Sequence, residues 1–168
     1  MKFVTEGDLQ LTIPFGATCE RFDGDSHGLT HCMKAVDFVV AFGGRTIFME
    51  FKDPEAPGAR PEAKNRFHLE LHSGELDRKL VIKYRDTFLY RWASVGVKAP
   101  IDYYVLIASS SLGSAELLHR TERLRHQVPA GLPIPVRWKS PIAATCAVMN
   151  IEAWNRRLPK FSVKRLSA

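Results

Sequence analysis

The order of apolar and polar residues predicts short strands first, then alternating helices and strands. Residues 8–15 alternate between apolar and polar side chains, as a half-buried strand does. The segment 16–32 is rich in glycine and polar residues, which predicts irregular structure with a short strand near 20–22. Two apolar runs follow, at about 34–42 and 45–52, and each is long enough to form a buried strand.

Gly43 and Gly44 separate these two runs and predict a β-hairpin, because both positions of a two-residue turn require positive φ. In that hairpin Asp37 lies directly opposite Glu50. Lys52 points to the same face as Glu50, since side chains alternate along a strand. The prediction depends on this register, because a slip of one residue would place the two acids on opposite faces.

The two faces of the predicted hairpin differ in bulk. One face is apolar and large enough to form a core, whereas the other carries the three charges among smaller side chains. We expect the charged face to leave room for a ligand to approach. The residues of the apolar face are Val36, Phe38, Val40, Phe42, Ile47, Met49 and Phe51.

The rest of the sequence predicts helices that alternate with further strands. Residues 53–67 are rich in proline and charge, which predicts an exposed, mobile loop. From Ser73, a good N-cap, to about Val95, apolar residues recur at intervals of four and predict an amphipathic helix. The remaining predicted elements are a buried strand at 101–109, a second amphipathic helix at 114–128, a proline-interrupted strand region and a short helix near 151–158. This order predicts one α/β or α+β domain, residues 1–168, around a mixed sheet flanked by helices.

The composition adds a basic bias to an otherwise ordinary globular protein. Of the chain, 45% is hydrophobic and 25% charged, with a net charge of +6. This charge favours a polyanionic partner, above all nucleic acid. No run of about 18 apolar residues and no apolar N-terminal leader occurs, so we expect a cytoplasmic protein without a membrane partner. Three cysteines are too few for a disulfide framework and fit a reducing compartment.

The paired acids of the hairpin suggest a metal site. Two opposed carboxylates repel each other and destabilise a sheet, unless a cation lies between them. Mg²⁺ takes oxygen ligands, often one or two carboxylates with waters and substrate phosphates. The competing interpretation is an ordinary solvated sheet face, on which acids and lysines are common.

Asp37 in "AVDFVV" and Glu50-Phe51-Lys52 in "IFMEFKD" resemble the motif of the PD-(D/E)xK nuclease superfamily, which has the restriction-endonuclease-like fold. The predicted order of hairpin, helix and strand is similar to the core of that family, over roughly residues 30–110. The resemblance implies that Asp37 and Glu50 hold Mg²⁺, with Mn²⁺ as a substitute and the Phe51 carbonyl as a further ligand. It also implies that Lys52 acts on the attacking water.

The sequence departs from the family pattern at two points and leaves a third position open to two residues. Val36 stands where the motif has proline. Many members add a glutamate from an N-terminal helix; no such helix is predicted here, and Glu20 or Glu6 are the candidates. Some members also carry a polar residue on the helix after the motif, for which Lys79 and Lys83 are equivalent candidates.

Other residue groups suggest competing sites. Cys19, His27, His31 and Cys32 form a possible zinc set, although their spacing matches no common zinc pattern. His68 and His72 are four residues apart but lack the glutamate of a metalloprotease motif, so exposed histidines are the simpler interpretation.

Two tryptophans lie in basic surroundings. Trp138 and Trp154 suit base stacking, but large aromatic residues more often pack in cores.

These observations favour a Mg²⁺-dependent nuclease that hydrolyses DNA phosphodiester bonds, with Asp37, Glu50 and Lys52 as catalytic residues. Basic residues of the helix after the hairpin and of the C-terminal tail would hold the DNA backbone. A homodimer or a larger assembly is expected where both strands of a duplex must be reached. The alternative is a catalytically inactive module that keeps the fold and binds nucleic acid or protein.

Overall fold

A mixed sheet of five strands forms the centre of the molecule. The computed structural model describes residues 1–24, 28–131, 133, 135–139 and 141–167. The strands are β1 (Lys2–Glu6), β2 (Leu9–Ile13), β3 (Thr18–Arg21), β4 (Phe38–Phe42), β5 (Arg45–Lys52), β6 (Ile101–Ile107), β7 (Thr145–Met149) and β8 (Val163–Arg165). The helices are α1 (Pro61–Ser73), α2 (Glu75–Ser94), α3 (Ser114–Gln127) and α4 (Ile151–Arg157), and a 3₁₀ turn follows at Pro159–Phe161.

The central sheet has the strand order β3-β4-β5-β6-β7. Its first three strands are antiparallel neighbours, whereas β5, β6 and β7 run parallel. Parallel neighbours need a long crossover connection. The helices α1 and α2 supply it between β5 and β6, and α3 supplies it between β6 and β7. A second, antiparallel sheet has the order β1-β2-β8. The predicted mixed α+β class is therefore confirmed.

The hairpin of β4 and β5 has the predicted turn and register. Gly43 and Gly44 have φ values of 59° and 73°, which only glycine adopts readily. Phe42 pairs with Arg45, and the ladder continues to the pair of Phe38 and Met49. One step further along the same register, Asp37, which precedes β4, lies next to Glu50 of β5.

Both faces of the central sheet are covered. Most of the predicted core face is confirmed, because it packs against β2, β8 and α4. Val36 differs, since it belongs to the core on the helix side. The helices α1, α2 and α3 pack over the face that carries the acids and bury both carboxylates, so the room expected for a ligand is found only in a cleft beside them. The two parallel crossovers place all three helices there.

The predicted loop at 53–67 was wrong beyond residue 60. Helix α1 begins at Pro61, a favourable position because proline lacks the N–H that a first helical turn leaves unpaired. Ser73 ends α1 and is not the N-cap of the next helix. Gly74, with φ of 81°, separates α1 from α2. The predicted single helix is therefore the second of two consecutive helices.

The apolar stripe of α2 is buried along most of its length. Leu76, Leu80 and Tyr84 are buried, Phe88 packs partly against the same core, and Trp92 is exposed. The predicted strand at 101–109, helix at 114–128 and short helix near 151–158 correspond to β6, α3 and α4.

Trp154 packs in the core of the molecule. It is fully buried, and its Nε1 donates a hydrogen bond to the Phe161 carbonyl at 2.7 Å. Trp138 remains partly exposed. Base stacking is therefore excluded for Trp154, whose ring is covered. Among the described residues, no helix combines the length and apolarity needed to cross a membrane.

Candidate active site

Asp37 lies where the hairpin meets α2. It directly precedes β4, and the N–H of Val36 beside it donates to Thr87 Oγ1 of α2 at 3.1 Å. The Asp37 carboxylate is buried, and its Oδ2 accepts a hydrogen bond from the Phe51 N–H at 2.6 Å. These contacts fix the carboxylate beside β5, next to Glu50 as the hairpin register predicts.

Glu50 is fully buried and is surrounded by charge. Its Oε1 lies 2.6 Å from Lys52 Nζ and 2.7 Å from Lys83 Nζ, and its Oε2 accepts a hydrogen bond from Lys83 at 2.9 Å. Burial and the neighbouring Asp37 raise the pKa of Glu50 to about 7, although the two lysines act in the opposite direction. Among the described residues, Glu50 Oε1 has ion-pair neighbours but no well-directed hydrogen bond.

Lys83 reaches the site from α2. Its ammonium lies 3.2 Å from Asp37 Oδ1, in addition to its contacts with Glu50. Burial alone would lower the pKa of Lys83, but the carboxylates of Glu50 and Asp37 outweigh this effect and raise it. The lysine therefore bridges both acids as a cation.

The sequence pattern alone does not select Lys83. Lys79 follows Leu76 by three residues and Lys83 follows Leu80 by three, so both lysines flank the apolar stripe of α2. Lys79, the other candidate on this helix, instead pairs with Glu70 of α1 at 2.6 Å. The structure therefore distinguishes two lysines that the sequence pattern left equivalent.

Lys52 connects the acids to solvent. Its side chain is 30% exposed, contacts Glu50 and lines a cleft beside the site. The three predicted catalytic residues, Asp37, Glu50 and Lys52, are thus brought together, and Lys83 joins them as a fourth charged group.

The oxygen atoms of the site suit a hard divalent cation. Asp37 and Glu50 provide two carboxylates, and the ammonium of Lys83 between them marks a position that favours positive charge. The Phe51 N–H points to Asp37, and its carbonyl lies on the same edge of β5, since both groups of one strand residue point the same way. Two carboxylates with a carbonyl and waters are a usual Mg²⁺ environment.

Among the described residues, no third acidic ligand is brought to this site. Within the part of the chain that the structure describes, no group of three or more His, Cys, Asp or Glu side chains is arranged to hold a metal. Glu20 is paired with Val39 across β3 and β4, and its exposed carboxylate lies 3.6 Å from Arg91. Glu6 pairs with Arg21 at 2.5 Å. Both predicted candidates are therefore engaged elsewhere.

The alternative zinc set does not come together among the described residues. Cys19 is half-buried on β3, where burial raises the pKa of its thiol to about 11 and disfavours the thiolate that zinc requires. Cys32 is exposed, and its Sγ contacts the Leu29 carbonyl at 3.6 Å. His31 is exposed, and His27 lies outside the described residues.

His68 and His72 both lie on α1 with exposed side chains. This position agrees with the interpretation of His68 and His72 as ordinary exposed histidines. Neither histidine lines the cleft beside the acids.

A basic cleft of about 720 Å³ opens beside the site, between α1, the first half of α2 and the end of β5. Lys52 and Lys83 form part of its wall. Seven of its lining residues are lysine or arginine and two are acidic, so the cleft carries a positive potential that attracts anions.

Comparisons of the chain with protein-family models, with curated proteins and with solved structures found no match.

Proposed function

We propose that this protein is a metal-dependent nuclease of the PD-(D/E)xK type that hydrolyses DNA phosphodiester bonds. One observation carries the proposal: Asp37, directly before β4, and Glu50 of β5 are buried and share one cation, and Lys52 lies beside Glu50 at a basic cleft. The order of antiparallel hairpin, helices and parallel strand supports the restriction-endonuclease-like fold, because the catalytic motif of that family lies on such a hairpin.

Each residue of the site has a role that its position supports. Asp37 and Glu50 would hold the Mg²⁺, together with the Phe51 carbonyl. The bound ion would polarise the phosphate and lower the pKa of a coordinated water. Lys52, partly exposed at the cleft, would orient the attacking water and offset the negative charge that develops on the phosphate. Lys83 would hold the two carboxylates in place until the metal binds.

The positive cleft supports a nucleic-acid substrate. The cations that line it can replace the counterions of a phosphate backbone. A second copy of the chain, or a larger assembly, would be needed to cut both strands of a duplex at one place.

A second candidate function follows from Lys83. Its ammonium already neutralises both carboxylates, so the same site would also be stable in an inactive module that only binds nucleic acid. This candidate predicts salt-sensitive DNA binding that substitution of the acids does not weaken.

Cleavage of a supercoiled plasmid and of labelled oligonucleotides in Mg²⁺ or Mn²⁺ tests the proposal. Asp37→Ala, Glu50→Gln and Lys52→Ala should each lower the cleavage rate by about 100-fold or more, as expected for groups that act on the reacting atoms. Glu152→Gln and Lys98→Ala, which change exposed charges away from the site, are the matched controls. Cleavage by the three site variants at the control rate would overturn the site assignment, and DNA binding without cleavage would favour the inactive module.

A further inference from the structure

The cleft beside the candidate active site combines cations with an apolar wall. Seven of its lining residues are basic and seven are apolar, and they occupy one continuous surface. The accessible part of the apolar wall includes Ala63 and Phe67 of α1, whereas Leu76 and Leu80 of α2 line the cleft but are almost fully buried. A ligand that matches this surface carries negative charge and also a flat apolar part.

Three cations of the cleft are available to a ligand. Lys34, Lys64 and Arg66 are exposed, and their side chains make no ion pair with any described residue. The remaining lysine and arginine side chains of the cleft already have acidic neighbours, as in the pair of Lys79 and Glu70. The three unpaired cations therefore provide the charge that a phosphate backbone would neutralise.

We propose that this cleft binds an unpaired segment of a DNA strand, with phosphates at Lys34, Lys64 and Arg66 and a base against the apolar wall. Proteins that bind single strands combine a positive groove with surfaces on which bases stack. A duplex keeps its base faces stacked inside and cannot place one against the wall. The cleft volume of about 720 Å³ also falls in the range of small-ligand pockets, which admits about one or two nucleotides.

The proposal rests on the proposed nuclease function and narrows its substrate. Lys52 and Lys83 belong both to the cleft wall and to the acidic site, so a strand held in the cleft lies beside the catalytic groups. The enzyme would then cut single strands, overhangs or flaps in preference to fully paired DNA.

Binding can be measured apart from cleavage. Fluorescence anisotropy in EDTA measures the binding of a labelled oligothymidylate. A length of about 12 nucleotides covers the usual site size for single strands. A blunt duplex of the same length is the comparison. The single strand should bind roughly tenfold more tightly, the effect of stacking one base. Equal affinity for both DNAs, or tighter binding of the duplex, would overturn the proposal.

The unpaired cations are tested by Lys64→Ala/Arg66→Ala. Loss of two phosphate contacts should reduce the slope of log K against log salt by about 1.4, at about 0.7 per contact on a single strand. Lys2→Ala/Lys98→Ala removes the same charge from exposed residues outside the cleft and should leave most of the slope unchanged. Equal slopes for the two double variants would overturn the proposal.

The passage of the DNA strand along α1 is tested by Ala63→Glu. Ala63 is exposed on α1, so both Ala63→Glu and its uncharged control Ala63→Gln leave the core untouched. The glutamate should weaken single-strand binding at least roughly tenfold relative to glutamine, because it adds an anion in the cleft next to Lys64, where a phosphate is proposed to bind. Indistinguishable affinities would overturn the proposal.

Failure of this proposal can be distinguished from failure of the proposed nuclease function. Preferred binding of the single strand in EDTA without any cleavage in Mg²⁺ would support the cleft and contradict the nuclease. Cleavage that depends on Asp37, together with equal binding of single and double strands, would support the nuclease and overturn the cleft.

Discussion

The Lys83 ammonium lies 2.7 Å from Glu50 Oε1 and so brings α2 into a site that otherwise belongs to the β4–β5 hairpin. The same ammonium lies 3.2 Å from Asp37, and Lys52 adds a second positive charge beside Glu50. Two buried carboxylates and two lysines thus balance one another. The geometry of the site therefore depends on how α2 packs as well as on the register of the hairpin.

Replacing Lys83 by methionine should destabilise the metal-free protein and increase its response to Mg²⁺. The variant keeps an apolar stem but removes the cation that two buried carboxylates share, and breaking a buried ion pair in this way costs about 3–5 kcal/mol. A divalent cation can replace the lost charge. Added Mg²⁺ should therefore restore more stability to Lys83→Met than to the unsubstituted protein, as measured by urea denaturation in EDTA and in Mg²⁺.

Lys79→Met is the control for this experiment. Lys79 lies one turn earlier on α2 and pairs with Glu70 at a partly exposed position, so its loss should cost under about 1 kcal/mol and give no extra response to Mg²⁺. Equal Mg²⁺ stabilisation of the Lys83 variant and the unsubstituted protein would contradict a shared cation position.

The stability of the metal-free protein should contain a pH-dependent contribution from Glu50. Burial and Asp37 raise its pKa from 4.5 in the unfolded chain to about 7 in the folded state. The folded state therefore binds this proton more tightly, and the free energy of unfolding decreases as pH rises between these values, by about 3 kcal/mol. The glutamine side chain in Glu50→Gln does not titrate, so this variant should lack the decrease in unfolding free energy.

The measurement is the difference in unfolding free energy between Glu50→Gln and the unsubstituted protein, from urea denaturation in EDTA at about pH 5 and about pH 8. Relative to the unsubstituted protein, the glutamine variant should be more stable at about pH 8 than at about pH 5. The exposed Glu152→Gln should give a difference that does not change with pH. A Glu50→Gln difference that is equally constant would refute the raised pKa.

The meeting of Asp37 and Glu50 could be predicted from sequence because a local feature decides it. The two turn glycines fix the hairpin register, and that register alone determines which residues face each other across the strands. The burial of the acids could not be predicted in this way. It results from the parallel pairing of β5 and β6, whose crossover brings α1 and α2 over the acidic face.

The start of α1 and the position of Lys83 could not be predicted from the composition of their segments. Pro61 belongs to a proline-rich segment, and only its position at the first turn makes it compatible with a helix. Lys79 and Lys83 both flank the apolar stripe of α2. The docking of α2 on the sheet decides that Lys83 turns toward the acids, and this docking involves residues far apart in the chain, such as Val36 and Thr87.

Thiol labelling should separate the three cysteines by burial. Cys32 is exposed, whereas burial raises the pKa of Cys19 to about 11 and that of Cys146 to about 12. Because the thiolate is the reactive form, a maleimide at neutral pH should modify Cys32 first, then Cys19, with Cys146 reacting only on unfolding. Mass spectrometry of peptides over a time course measures this order.

The same labelling tests the alternative zinc set. A zinc ion held by Cys19 and Cys32 would protect both thiols until a chelator removed it. We expect equal rates with and without chelator. Chelator-dependent exposure of Cys32 would contradict this expectation and favour a zinc site.

Replacing Asp77 by alanine should be among the most destabilising changes on the helix side of the sheet. The sequence places Asp77 in the first turn of α2 as a favourable acid, yet the residue is buried and lies 3.1 Å from Arg120 and 3.2 Å from Arg123 of α3. Arg120 also donates to the Leu71 carbonyl of α1. Loss of the carboxylate leaves the buried Arg120 with only the more distant Glu116, at 3.8 Å, and breaking a buried ion pair in this way costs about 3–5 kcal/mol.

Glu75→Ala is the matched control, because Glu75 occupies the same helical turn but forms an exposed pair with Arg78. Its loss should cost far less, as is usual for surface ion pairs. Replacing Asp77 and Arg120 together, by leucine and methionine, should recover part of the lost stability, since no unpaired charge then remains buried. Chemical denaturation of the three variants measures these differences. If Asp77→Ala and Glu75→Ala were equally stable, the buried pair would not be what joins α1, α2 and α3.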